Sequence, residues 1–549
     1  EDNTTGYNNT GIGKGALANN TTGNTNTAVG CDALNTNTTT SNNTAVGESA
    51  LQLNTAADNT AVGSGAMDAN TTGTQNAAVG RNALGANTTA NDNTAMGFNA
   101  LAANTTGTSN TAFGVKAVDA CTTGSHNTGV GAYALTYATT SDYNTAVGME
   151  ALKDDTTGSD NNAFGRQALA NNTTTNSNCA FGSVALFTQT DGGTKNCAFG
   201  NQTLYSNTTG DSNCAMGDSA LYTNTTGEKN IAIGDYAMGV NTTGSYNVAV
   251  GHGALDANTT AGHNVAIGYL ALTANNGSTG EYNTAVGSGA LDANTTGRVN
   301  TSVGASSLTS NTTGDKNTAV GSSALESNTT ADGNTAMGDA ALNGCTGHSN
   351  TALGISAGKN LQDGNENTCV GAEAGHDLST GGNNLLLGKH AGRSTSPSGQ
   401  LTSHNNIVVL GNNSITDLYC ADTSISSSDL RDKTDIADFT KGLDWIKALR
   451  PVTYRWDRRT WYGTDEQPYG TPDGSKKRSK LHIGFLAQEA LEVEKSNGYG
   501  SSKEDMLVVN LTPDDMSYGM KYERLVPVLV NAIKELSAEV EQLKSQLNN

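Results

Sequence analysis

At 549 residues the chain is too long for one ordinary core, and with 66 glycines and 5% aromatics it is too poor in bulky side chains to build several. Charged residues are 15% of the chain and the formal charge is −21, a composition that borders on disorder and leaves periodicity to decide. No apolar run reaches membrane-spanning length, no signal peptide is visible, and the acidic part has no basic stripe, so membrane insertion and nucleic-acid binding are not expected.

The charge is unevenly placed. Residues 1–424 hold 12 Lys and Arg against 31 Asp and Glu, whereas 428–549 hold 18 against 20. Trp445, Trp456, Trp461 and five of the six prolines also lie after 428, so two kinds of protein are joined near residue 425. The chain opens on Glu1 rather than Met, and an upstream segment is expected.

The first part repeats one word, Asn-Thr-Ala-Val-Gly, then x-x-Ala-Leu-x-x-Asn-Thr-Thr-Gly-x-x. Its first Asn recurs 23 times from Asn9 to Asn384, nearly always 17 residues apart, which signals a solenoid. Each copy predicts two short strands, "NTAVG" and "xxAL", with the Gly and the "NTTG" tetrapeptide turning the corners. Stacked copies put Asn on Asn, Thr on Thr and Ala on Ala. At about 4.8 Å per rung the stack is a rod on the order of 110 Å long.

Alternation within a strand sends neighbouring side chains to opposite faces. Both "Ala-Val" and "Ala-Leu" therefore predict one apolar residue inside a narrow roll and one outside it. The outer residue asks for a partner, most economically further copies around a common axis. Of the eight cysteines, Cys179, Cys197 and Cys214 occupy one position of successive repeats and are expected to stack as reduced fillers. No Cys/His metal spacing, calcium nonapeptide or recurring catalytic constellation is present, so no metal and no cofactor is expected. Breaks in the period, particularly the insertion at 389–405, are the places in the shaft expected to recognise a receptor.

These rungs, over residues 9–411, resemble the left-handed parallel β-roll heads of trimeric autotransporter adhesins and runs in phage tail fibres. The resemblance implies architecture, since the adhesin repeats are shorter. The expected class is mainly β: a homotrimeric parallel β-roll over 1–411, a connector at 412–427, and an α+β domain over 428–549.

In that last domain, 436–457 reads as a helix and a strand broken at Pro451, and 481–495 as a strand turning into a helix near Gly484. Residues 522–547 read as a long terminal helix. Leu529, Ile533, Leu536, Val540, Leu543 and Leu547 form a heptad seam compatible with a three-stranded coiled coil.

Four words in order carry a second resemblance: Ser428-Asp429-x-Arg431-x-Lys433-x-x-Ile436, "RPVTYRW" at 450–456, "HIGFLAQE" at 482–489 and "LVPVLVNAIKEL" at 525–536. They resemble the intramolecular chaperone of endosialidases, an auto-processing module (peptidase family S74) that ends many phage tail fibres and tailspikes. The resemblance implies a Ser428/Lys433 dyad that cuts the Ser427–Ser428 bond, with Asp429 and Arg431 positioning the peptide. A serine hydroxyl needs a base to attack, and a lysine can serve when its surroundings disfavour its charge.

The expected protein is a virion tail fibre or tailspike assembled in the bacterial cytoplasm. Its expected partners are itself, as a homotrimer, a host-surface glycan or protein receptor, and upstream tail proteins. The expected proteolysis is one self-directed event, with no activity on an external substrate. A bacterial surface adhesin and a capsule-degrading tailspike are the alternatives.

Overall fold

A computed structural model describes residues 3–415, 433–463, 467, 469–512 and 515–548. It divides into two compact units, residues 1–323 and 324–549.

The first unit holds nineteen three-residue strands, β1 (Thr10–Ile12) to β19 (Thr318–Val320), stacked in parallel with each rung in register with the next. Thr27 pairs with Thr44, Ala28 with Ala45 and Val29 with Val46. From β2 onward the central residue, nearly always Ala, is buried and its two neighbours face outward, whereas the end strand β1 is exposed throughout. The second unit opens with five such strands, β20 (Thr335–Met337) to β24 (Val408–Leu410). Just before β24 the usual Asn is replaced by Ile407, whose N–H still donates to Asn384 Oδ1 at 3.0 Å. The repeat thus runs one rung beyond its last sequence signature.

Two buried asparagine ladders hold the rungs together. Asn26 Oδ1 accepts the backbone N–H of Asn43 at 3.0 Å, and Asn26 Nδ2 donates to the Thr40 carbonyl at 2.8 Å. At the other corner Asn87 Nδ2 donates to Asn70 Oδ1 at 2.7 Å and to the Ala90 carbonyl at 3.2 Å. A buried amide left unpaired costs about 1–3 kcal/mol, so the ladder stabilises the roll where one rung satisfies the next and loses that where it is interrupted, as at Asn104 Oδ1 before Cys121. The glycine after each strand is equally constrained. Gly97 has φ +144°, and a Cβ there would sit 2.3 Å from the Gly114 carbonyl oxygen.

The second predicted strand does not form, and the "xxAL" stretch is a run of turns instead. Ser49 and Leu51 have φ of +57° and +53°, and their N–H groups donate in opposite directions, to Cys31 and Ala66. This reversal breaks the strand alternation, so Ala50 and Leu51 are both fully buried and no apolar residue of that pair faces out. A left-handed non-glycine residue costs about 1–2 kcal/mol. Burying a leucine stabilises by roughly 1.5–3 kcal/mol, and the inter-rung bonds add to that.

The outward apolar surface therefore comes from the strands alone. None of the outward residues of the twenty-four strands is charged, and the third is always aliphatic, Met or Phe. Phe164, Phe181 and Phe199 stack with centroids 4.4 and 4.8 Å apart, beside the in-register Cys179, Cys197 and Cys214. These cysteines are half-buried free thiols. The 389–405 insertion is packed rather than open: Ala391, Ser394, Ser396 and Leu401 are buried, and Arg393 pairs with Glu373 and Asp377.

The rest of the second unit is a small α+β module. In order come α1 (Leu443–Ala448), β25 (Val452–Tyr454), β26 (His482–Gly484), α2 (Ala487–Ser496), β27 (Val509–Leu511), β28 (Tyr518–Met520) and α3 (Leu525–Leu547). β25 pairs antiparallel with β26, and β27 with β28. Its core gathers Trp445, Leu449, Ala490, Leu491, Val508, Val509, Leu525 and Val528. Two close approaches set its geometry. A Cβ on Gly442 would meet the Ala532 nitrogen at 2.6 Å, and one on Gly484 would meet Tyr522 Oη at 2.5 Å. α3 begins at Leu525 after a 3-10 turn, Tyr522–Arg524, slightly later than the sequence suggests. Leu525, Val528 and Ala532 bury against the module, whereas the whole seam from Leu529 to Leu547 is exposed, Ile533 at 66%.

Candidate functional site

Ser427, Ser428, Asp429 and Arg431 lie outside the described residues. Lys433 is exposed. The described residues on either side of this segment are Asn412–Ile415 and the module that begins beyond Lys433.

The incoming chain is held by a strip of alternating cationic and aromatic residues that follows β25. Trp461 Nε1 donates to the Asn413 carbonyl at 3.2 Å and Arg458 Nη1 to Asn413 Oδ1 at 3.3 Å. Asn413 N–H donates in turn to the Thr395 carbonyl at 2.8 Å, so this residue ties roll to module. The strip is braced by cation–π contacts, Arg458 over Trp456 at 4.4 Å and Arg478 over Trp461 at 5.0 Å. Burial pulls Arg458 below its ordinary pKa, and Arg478 adds to the effect. A cleft of about 640 Å³ opens beside Asn413, with Lys389, Lys476, Lys477 and Arg478 in its wall.

Behind the strip, two of the quoted words are joined by one ion pair. Arg450 of "RPVTYRW" grips Glu489 of "HIGFLAQE" with two nitrogens, Nε to Oε2 at 3.0 Å. The bond to Arg450 holds the Glu489 carboxyl below its usual range. Phe485 N–H donates to Tyr522 Oη at 3.1 Å, which docks the base of α3 against β26. Asn531 and Glu535 of α3 reach back to the Phe439 carbonyl and the Leu443 N–H. The words at 450–456, 482–489 and 525–536 thus converge on one folded unit.

One group had no signal in the sequence, being one of three glutamates in a largely polar helix. Glu494 is fully buried on α2, and its carboxylate accepts the N–H groups of Leu507, Val508 and Val509, the last at 2.8 Å. A buried carboxylate with this many donors is a clamp that starts β27. Arg458 and Trp461 were equally silent. The run "RWDRRTW" announces a cation–aromatic cluster, but nothing in it names Asn413 as the partner.

Comparison with known families places this module. Residues 428–499 match the model of the peptidase S74 family, the chaperone of endosialidase, and the match begins at Ser428. No curated protein matches the chain. The molecule is a parallel β-solenoid followed by an α+β module, part of which matches the endosialidase chaperone family.

Proposed function

We propose that the chain is a homotrimeric phage tail-fibre or tailspike protein for host-surface recognition. The solenoid is its shaft (1–411), 412–427 its connector, and 428–549 a chaperone that trimerises the chain and then cuts itself away. The observation that carries this reading is the family match that starts at Ser428, the residue assigned the nucleophile. Ser428 Oγ attacks the Ser427 carbonyl carbon while Lys433 takes the hydroxyl proton. The C–N bond breaks as the acyl group moves to oxygen, and water hydrolyses the ester. The products end at a Ser427 carboxylate and begin at a Ser428 amine.

The shaft supplies the reason for a chaperone. Its uncharged outward stripe invites a second and third copy, but every rung resembles the next, so chains can pair one rung out of step. Non-local pairing of this kind is slow and easily trapped. A terminal module whose exposed helix seam joins three chains sets the register before the shafts zip. Its removal then leaves a fibre held by a kinetic barrier.

Denaturing electrophoresis with intact-mass analysis of the wild type and Ser428→Ala tests the cleavage. The wild type should give a fragment beginning at Ser428, and the variant should stay full length. A wild type that never yields that fragment removes self-cleavage, and a monomer in sedimentation removes the trimeric fibre.

A further inference from the structure

The shaft's outer surface is regular except where the repeat is interrupted, and one interruption builds a notch. Successive ladder asparagines Asn264 and Asn283 are 19 residues apart, where 17 is usual. The two extra residues swell the corner Asn275–Gly280, which Asn275 Nδ2 closes onto the Gly280 carbonyl at 3.0 Å. Gly277 N–H reaches the Thr295 carbonyl at 3.1 Å, so the enlarged corner keeps the usual backbone bond to the following rung while Ser278 and Thr279 bulge beside it.

Beside it lies a cavity of about 420 Å³ whose wall spans three rungs and includes Ser278, Thr279, Tyr282, Arg298, Asp315 and Lys316. Tyr282 ends a stack of three rings, on His263 at 4.9 Å and 6°, which lies on Tyr246 at 5.0 Å and 4°. Lys229 Nζ donates to Tyr246 Oη at 2.9 Å and anchors the far end. The next rung offers Val299 rather than another ring, so the stack stops at a rigid aromatic that is 57% exposed. Asp315 fixes Arg298 through its backbone N–H at 2.9 Å and its Nε at 3.2 Å, and the rest of the guanidinium faces outward.

We propose that this notch binds a neutral, hydroxyl-rich saccharide. Tyr282 supplies a pre-positioned apolar surface for the C–H groups of a sugar ring. Glu281 and Asp315 supply acceptors, and Arg298, Lys316, Ser278 and Thr279 donors, for its hydroxyls. The charges in the wall are of both signs, and the shaft around it is strongly acidic, with 12 Lys and Arg against 31 Asp and Glu over 1–424. A polyanion is repelled by that field, whereas a neutral polymer is not. The site deepens the host-recognition reading above and takes its biological meaning from it.

The full chain is tested for binding to neutral mannan, glucan, galactan and rhamnan polymers, with polysialic acid and polygalacturonate as the acidic arm. At least one neutral polymer should bind. Tyr282→Ala should weaken that binding about tenfold and Arg298→Ala several-fold, with the melting curve of each variant unchanged. Tyr282→Phe should keep most of it. The proposal is overturned if no neutral polymer binds, if only the acidic ones do, or if Tyr282→Ala binds as well as the wild type. Trimer mass and the Ser428 fragment are scored on the same samples. If both are present without neutral-polymer binding, the notch alone falls. If neither is present, the fibre reading falls while the binding result stands.

Discussion

The shaft and the C-terminal module solve the problem of burying polar backbone in opposite ways. In the shaft most interior contacts copy the one below, so Asn26 does for Asn43 what Asn43 does for Asn59. In the module every contact is made once. Glu494 caps one strand, Gly484 admits one tyrosine, and Trp461 holds one carbonyl. Repetition gives stability that is the sum of neighbour terms and leaves register undefined, while uniqueness defines register and concentrates risk in a few residues. A protein that couples the two can have a long stiff shaft and still assemble in step.

That contrast can be broken most sharply at the glycine column. Gly97→Ala places a methyl against the Gly114 carbonyl at 2.3 Å in a left-handed conformation, and the neighbouring rung is backbone that cannot step aside. Loss of about 5 kcal/mol and of the ordered rungs around it is expected in thermal melts and limited proteolysis. Gly474→Ala in the module, where φ is +85° and nothing lies within 4 Å, should cost only about 1 kcal/mol. If the two substitutions destabilise equally, the stacked-carbonyl account of the shaft is wrong.

A second test lies inside the ladder. Asp155 occupies an asparagine position, fully buried, with Asn172 Nδ2 donating to it at 2.9 Å. Burial raises its pKa from 3.8 to about 7. Below 3.8 the group is protonated in both states. Between 3.8 and about 7 the unfolded chain ionises while the folded one holds its proton, so stability falls as pH rises through this window and levels off above it. The loss is at most about 4 kcal/mol. Asp155→Asn restores the ladder chemistry and should flatten that slope in pH-dependent melting, with the largest gain above pH 7. An unchanged slope would mean that the carboxylate is ionised in the folded rung.

The smallest effect is expected at the junction. Trp461→Phe keeps an aromatic ring but removes the indole N–H that bonds the Asn413 carbonyl and part of the surface under Arg478, about 1–2 kcal/mol. Amide exchange at residues 412–415 should quicken while the module's core, around Trp445 and Val509, stays protected. Equal loss of protection in both places would mean that Trp461 supports the module itself rather than the tie to the roll.

How far the fold was legible follows from the same contrast. The period of 17, the interior Ala and the Asn ladders could be read directly, because a stacked repeat must present each residue to its own image. The "xxAL" strand was misread because positive φ at Leu34 and Leu51 is invisible in a leucine codon and is enforced by the rungs above and below. In the module, the helices and the strands β25 and β26 were legible from period and from Pro451, the β27–β28 hairpin was not read, and α3 shows which of its apolar residues do not bury at home. The Asn413 contacts were not legible, since they join residues 45 and 48 positions apart with no repeat to predict them.

By itself, then, the sequence determined the solenoid, its uncharged outer stripe and the change of character near residue 425, because these are properties of pattern and need no distant partner. Only the tertiary structure decided which apolar residues turn inward at the corners, where the extra residues at 275–280 raise a wall, and which arginine and tryptophan grip the end of the roll. Those features depend on contacts between non-equivalent residues, and a repeating chain writes only the equivalent ones into its period.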